Sequence, residues 1–500
     1  MGIIVKQSVK GTVYVYLGVI LGFITTGIFL PKFYSTEQVG LLKILVAYSS
    51  LIASFGTLGI NGVTIRLFPF FKDNKQKHHG YLANILLVGV FGALLTTALI
   101  LLLKPWISEM SGEKSALFVH YFNYLIVLVF FQIFFSLLDA YYSALLNSVF
   151  GTFLKEFLQR VFIILAIALF FFNLVDFHFF VILYVTAISA PTLFIMSRLI
   201  REKQFSFYTD FKFLNHGLLV SMASVSLFSI MNGFSLIIIQ NVDLIMINSM
   251  TGLSNTGVYS VCFFFGVVVS LPARSIIKIV NIVSAQAWKE NDLKLISDIY
   301  HKSCLTLFLI GTLIFIGLWA NIENIFQILG PSYIAGKWVI FFIGLSSLMD
   351  MATGANGSIM GTSQYYKVQT VFLVVLVVLL VITNLLLIPR FGITGAAIGG
   401  AISLAVLNTL RYLFLYYKYR LQPFNLKFVY IAIIGAGSYF LSAQLPPLSN
   451  YIADIAFRSL LLLALFCTPV YFLKISSDVN QKADEILIKL HLISKKNTSK

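Results

Sequence analysis

Three carboxylates and four arginines stand inside or at the edges of segments apolar enough to lie in lipid: Asp139, Asp243 and Asp350, with Arg66, Arg160, Arg274 and Arg411. An ionisable group at such depth costs roughly 2.5–3.5 kcal/mol on insertion scales, so each is a functional candidate. A membrane acid can bind a proton or Na⁺, pair with an arginine on another helix to hold a gate shut, or hydrogen-bond a kinked backbone. An arginine keeps its charge at any depth, and its planar fork grips oxyanions with two hydrogen bonds. Each arginine also has a plainer reading. Arg160 stands four residues after Glu156 and can pair with it along one helix, while Arg66, Arg274 and Arg411 can be anchors snorkelling to lipid headgroups.

The elements that must position these groups are membrane helices. Of 500 residues, 59% are hydrophobic and only 11% charged, with a mean hydropathy of +0.92. Soluble domains carry about 25% charged residues. Apolar runs of about 18–25 residues each suffice to cross about 30 Å of hydrocarbon, whereas barrel strands alternate over about ten. The expected fold class is therefore all-α and polytopic, with fourteen spans near residues 11–31, 40–63, 82–103, 117–146, 152–173, 178–198, 217–247, 257–278, 302–320, 335–361, 368–388, 393–417, 427–445 and 452–474. The net charge of +16 does not indicate nucleic acid, because the cations lie between apolar runs rather than clustered on a polar surface. Cys262, Cys304 and Cys467 lack metal-ligand spacing and read as packing residues. The first run is too long for a signal peptide and lacks a small-residue cleavage site, so it stays as the first helix.

All but seven of the 35 cations (Lys32, Lys43, Lys104, Lys114, Lys337, Arg390 and Arg458) fall at the termini or in the even-numbered loops. This bias places both termini in the cytoplasm. The longest loop, about 279–301, reads as a short amphipathic cytoplasmic helix, so any chemistry must occur among the spans. The two halves echo each other. Thr36-Glu37-Gln38-Val39-Gly40 follows the first span as Ser254-Asn255-Thr256-Gly257 follows the seventh; Leu138-Asp139 matches Met349-Asp350, and Gly151-Thr152 matches Gly361-Thr362. Six spans separate the copies, so the repeat is parallel, and such repeats place a ligand site on the axis between the halves. The expected divisions are an N-terminal lobe at 1–212, a C-terminal lobe at 213–420, helices thirteen and fourteen at 421–474, and a cytoplasmic tail at 475–500.

The fourteen-span pattern, the passage NVDLIMINSM…NTGVYSV at 241–261, Leu271-Pro272-Ala273-Arg274 and Phe391-Gly392-Ile393-Thr394-Gly395-Ala396-Ala397 resemble the polysaccharide biosynthesis (O-antigen flippase) family. That family belongs to the multidrug/oligosaccharidyl-lipid/polysaccharide exporter superfamily, which includes the lipid II flippases and the multidrug and toxin extruders. The resemblance covers nearly the whole chain through short motifs. It implies two six-helix lobes forming a V around a central cavity, alternating access, and movement of undecaprenyl-pyrophosphate-linked glycans across the bacterial inner membrane. On this reading Arg66, Arg160, Arg274 and Arg411 are candidate phosphate ligands, and Asp139, Asp350 and Asp243 candidate gating or ion-coupling groups. No cofactor is expected beyond H⁺ or Na⁺ coupling. The partners are a lipid-linked oligosaccharide, the bilayer, and a polysaccharide polymerase with other assembly proteins. The alternatives are a cation-coupled multidrug extruder, a lipid II flippase, and a membrane polysaccharide polymerase or ligase; the last is disfavoured because such an enzyme needs a large outer loop.

Other features carry plainer readings. Gly18/Gly22 and Gly395/Gly399 have GxxxG spacing and read as close helix packing. Asn232, Asn356, Asn384 and Asn408 read as bonds to neighbouring helices, Pro191 and Pro272 as kinks, and His78-His79 as a solvated basic loop rather than a metal site. The sequon Asn497-Thr498-Ser499 stands on the cytoplasmic tail.

Overall fold

The computed structural model describes residues 3–489 except 74, 112, 146, 211 and 212. The tail sequon therefore lies outside the described residues, as do the side chains of Asn232 and Lys6. Among the described residues, twelve helices are long and apolar enough to cross a membrane. Two more complete the fourteen expected. The helix Tyr366–Tyr419 would be about 80 Å long at 1.5 Å per residue, but it turns back at Gly392 (φ 58°, ψ −137°). A further span at 148–171 is helical throughout and is interrupted only by a π-helical turn.

Numbered along the chain, α1 runs through Ile3–Gly22, a π-helical turn Phe23–Phe29 and Leu30–Phe33. α2 is Thr36–Gly56, continued after a break by Ile60–Phe71. α3 is Tyr81–Ser111 and α4 is Tyr124–Ala144. α5 joins Ser148–Phe153, the π-helical turn Leu154–Leu158 and Gln159–Phe171. α6 is Phe177–Arg201 and α7 is His216–Thr251. α8 comprises Leu253–Val267 and its continuation Ala273–Glu290, and α9 is Leu293–Ala320. α10 comprises Lys337–Thr353 and Asn356–Thr362, α11 and α12 are the two arms of Tyr366–Tyr419, α13 is Leu426–Ala443 and α14 is Tyr451–Phe472. The loop expected at 279–301 holds no separate helix. α8 continues to Glu290 and α9 begins at Leu293, and the Trp288 indole donates to the Ile359 carbonyl at 2.9 Å.

The chain divides into two compact units, Met1–Val261 and Cys262–Lys500. In the first, α7 packs along α2, α4 packs on both α2 and α6, and α5 packs on α6. Small residues set the closest approaches. A Cβ at Gly18 would lie 2.7 Å from the Glu156 carbonyl oxygen of α5, and one at Gly22 2.0 Å from Arg160 Nη1. The repeat appears here as a reciprocal contact. A Cβ on Gly40 would meet the Leu253 carbonyl oxygen at 2.1 Å, one on Gly257 would meet the Thr36 carbonyl oxygen at 1.9 Å, and the Thr36 and Ser254 hydroxyls share a hydrogen bond of 2.7 Å. Residue i touching j while the equivalent of i touches the equivalent of j is the signature of local two-fold symmetry.

In the second unit α10 packs on α12 and α9, and α9 also carries α13 and α14. α11 and α12 form a helical hairpin. Gly395 faces the Leu387 carbonyl, Gly399 faces Thr383, and the Thr383 and Ser403 hydroxyls are 3.3 Å apart. A buried ion pair fastens α14. Arg458 Nε donates to Asp454 Oδ2 at 2.7 Å, and the rest of the guanidinium donates to the carbonyls of Ser442 and Leu445 at 3.0 Å each. Asp454 also accepts from Asn324 Nδ2 and the Leu448 amide.

Candidate functional site

α2 begins at a reciprocal cap. The Ser35 hydroxyl accepts from the Gln38 amide and Gln38 Oε1 accepts from the Ser35 amide, as a capping box requires. The helix then breaks. Leu58 (φ 47°) and Gly59 (φ 70°) adopt left-handed backbone, a conformation glycine reaches without steric cost. The break presses the chain against α7, since a Cβ on Gly59 would lie 2.2 Å from the Ser226 carbonyl oxygen and one on Gly62 1.8 Å from Ser229 Oγ. The Ser226 hydroxyl donates to the Leu58 carbonyl. The Phe55 and Phe234 rings meet at 4.0 Å.

Beside this seam lies an open cavity of ≈ 670 Å³ lined by α2, α4, α5 and α7. α2 contributes Val46, Ser50, Ala53, Ser54, Thr57, Gly59, Asn61, Gly62, Ile65 and Arg66; α4 contributes Gln132 and Ser136; α5 contributes Lys155; α7 contributes Ser229, Gly233, Phe234, Ile237, Gln240 and Asn241. Two pairs tie α4 to α2: Gln132 Nε2 donates to Ser49 Oγ at 2.8 Å, and Asn61 Nδ2 to Ser136 Oγ at 2.6 Å. The cations among the lining residues are Arg66 and Lys155, and no described lining residue is a carboxylate. Lys155 Nζ stands 5.2 Å from the Phe135 ring centroid. The wall therefore offers two positive charges, hydroxyls and primary amides, a set suited to an anion joined to a hydroxyl-rich group.

Of the residues expected from sequence, Arg66 lies in this wall. Arg160 does not. It pairs with Glu156 at 3.2 Å, side by side on the face of α5 that meets Gly18 and Gly22. Asp139 is not among the described lining residues, and its Oδ1 is buried without a hydrogen-bond partner. Gly151 lets α5 approach so closely that a Cβ there would lie 1.7 Å from that oxygen, and Lys155, one turn further along the same face of α5, is the cation in electrostatic range. Asp243 accepts from the Tyr259 hydroxyl at 2.8 Å. Arg274 is exposed at the start of the α8 continuation.

In the second unit Asp350 and Arg411 come together. Asp350 Oδ1 accepts from Asn408 Nδ2 at 3.0 Å, Asn408 Oδ1 accepts from Asn356 Nδ2 at 3.3 Å, and Arg411 Nε donates to Gln369 Oε1 at 3.0 Å. Arg411 lies in electrostatic range of Asp350, its guanidinium over Gly357. Each unit thus places one of the repeat-related acids beside one cation, Lys155 in the first and Arg411 in the second.

Sequence reasoning counted Lys155 only as a topology cation. The signal that could have found it is its spacing four residues after Gly151, which puts both on one helix face. Two plain readings also change. His78 is not solvated but 2% exposed, between the rings of Phe68 and Tyr141. Cys262 and Cys304 are buried as packing residues should be, whereas Cys467 is exposed.

No family model and no curated protein matches the sequence. Solved structures do. A lipid II flippase, MurJ, in an inward closed conformation matches with a TM-score of 0.74 at 13% identity, over 92% of this chain and 98% of its own. An inward-facing multidrug resistance transporter of the MATE family, described as of the MOP superfamily, matches with a TM-score of 0.60 at 15% identity, over 81% and 97%. The MATE multidrug transporter DinF-BH matches with a TM-score of 0.58 at 17% identity, over 83% and 95%. The chain has the fold of this exporter superfamily, as its motifs led us to expect.

Proposed function

We propose that this protein is a flippase. It carries an undecaprenyl-pyrophosphate-linked oligosaccharide from the cytoplasmic to the outer leaflet of a bacterial inner membrane, by alternating access, for surface polysaccharide assembly. The observation that carries this reading is the composition of the cavity wall: Arg66 and Lys155 without a carboxylate among the described lining residues, with serines, glutamines, asparagines and Thr57 making up about half of the rest and glycines and apolar residues the other half. A pyrophosphate dragged through hydrocarbon needs cations, and sugar hydroxyls need donors and acceptors to replace water, while the polyprenyl tail can stay in the bilayer. An extruder of cationic drugs needs the reverse, an acid facing its cargo.

On this reading Arg66 and Lys155 hold the phosphates, with the termini on the cytoplasmic side as the cation bias requires. Asp139 shares Lys155 with the cargo, so phosphate arrival weakens the Asp139–Lys155 attraction and leaves the acid free to take up H⁺ or Na⁺. Asp350 with Arg411 forms the matching pair in the other unit. A lipid II cargo is a second reading, favoured by the match to the lipid II flippase over 98% of that chain; it asks the same chemistry of the wall.

The experiment is a deletion. Loss of the gene should leave lipid-linked glycan accumulating in the inner leaflet and deplete surface polysaccharide. Loss of drug resistance with unchanged surface polysaccharide would select the extruder instead, and arrested peptidoglycan synthesis would select lipid II.

A further inference from the structure

Away from the cavity, the turn between α2 and α3 has an unusual backbone. Lys77, His78 and His79 hold φ of 50°, 53° and 50°, followed by Gly80 at 69°. Such a run of non-glycine residues in left-handed conformation persists only where surrounding contacts over-determine it. Here those contacts come from the connector that leads from α6 into α7. His78 Nε2 is 3.2 Å from Gln204 Oε1 and His79 Nδ1 is 3.3 Å from Asp210 Oδ2. The His79 ring stacks on Phe213 with centroids 3.8 Å apart, and Gly80 fits so closely that a Cβ would lie 2.3 Å from the Tyr208 carbonyl oxygen. Two residues beyond Phe213, the Asn215 side chain caps α7 by accepting from the Leu218 amide at 2.8 Å.

We propose that the turn 77–80 is a proton-released latch on this connector, with His78 as its trigger. The imidazole is enclosed by Phe68 and Tyr141, and its Nδ1 is buried without a hydrogen-bond partner. A second proton would therefore create a charge whose new N–H has no acceptor in reach, a costly arrangement that drives the ring out of its box. The groups around it do not rescue that charge. Burial opposes it most, and Lys72 and His79 oppose it too; the hydrogen bond to Gln204 and the charge of Asp73 favour it but do not outweigh the burial. The His79–Asp210 contact strengthens when His79 is protonated, but its side chains are 14% and 23% exposed and it binds the connector at one point only. Once His78 leaves, the left-handed turn keeps only the contacts of His79 and Gly80, and its hold on the connector and the start of α7 weakens. That helix lines the cavity, so release would loosen the wall; this last consequence alone rests on the cavity being the cargo site.

Hydrogen exchange of the full-length protein in lipid nanodiscs tests the latch without any cargo. On lowering the pH from about 7.5 to about 5.5, amides of 204–210 should exchange about tenfold faster than the intrinsic pH effect allows. His78→Phe, which fills the box but cannot titrate, should abolish that excess, and Asp210→Asn should raise exchange already at the higher pH. If His78→Phe loses the protection of α3 and so fails to fold, His78→Gln provides the non-titrating variant, with the same expectation. An unchanged 204–210 segment in the wild-type protein at low pH, or the same acceleration in the non-titrating variant, overturns the proposal.

Discussion

Arg66 and Lys155 reach the cavity from different helices, α2 after its break and α5 one turn beyond Gly151. A hydrogen bond to a charged group is worth about 1.5–3 kcal/mol, so Arg66→Gln and Lys155→Met should each weaken binding of a polyprenyl-pyrophosphate glycan at least about tenfold. Rising salt should weaken the wild-type protein toward the variants, as titration calorimetry in nanodiscs would reveal. Asp139→Asn with Asp350→Asn should leave binding intact and stop net transport in proteoliposomes driven by an ion gradient; transport that survives the pair at normal expression removes both acids from coupling. Arg66 was legible in the sequence because an arginine follows the glycines that end an apolar run. Lys155 and His78 were not, since a cation near a loop looks like a topology signal and a histidine among lysines looks solvated. Only the approach of α5 to Asp139 and the wrapping of the 204–210 segment separate these cases.

The elements turn on a few backbone positions. Gly392 closes the α11–α12 hairpin at φ 58°, ψ −137°, a region that side chains with a Cβ avoid. Gly392→Ala should therefore cost about 1–3 kcal/mol, seen as a lower midpoint in thermal unfolding followed by tryptophan fluorescence. The Asp454–Arg458 pair, 2% and 6% exposed, is of a different kind. Arg458→Met should destabilise by about 3–5 kcal/mol because it strands a buried carboxylate, and Asp454→Asn added to it should recover part of the loss. The periodic apolar runs gave the existence of the helices, but several run well past the expected ends, α3 to Ser111, α8 to Glu290 and α9 back to Leu293. They could not give the break at 57–59 or the π-helical turns at 23–29 and 154–158, which are set by close contacts between helices rather than by local composition.

At the scale of the whole molecule, the duplication was readable from faint matches, and its physical form is the reciprocal seat of Gly40 against Leu253 and Gly257 against Thr36. The exporter fold followed from span number and motifs, and the fold alone is compatible with cargoes as different as a lipid-linked glycan and a drug. Only the charge of the cavity wall discriminates between them. The decisive measurement is binding by the full-length protein in nanodiscs of an undecaprenyl-pyrophosphate oligosaccharide in competition with a lipophilic cationic dye. The account predicts that the glycan lipid binds, that Lys155→Met and high salt weaken it, and that the dye does not displace it. Tight binding of the dye, with no displacement by the glycan lipid and no effect of Lys155→Met, would contradict it.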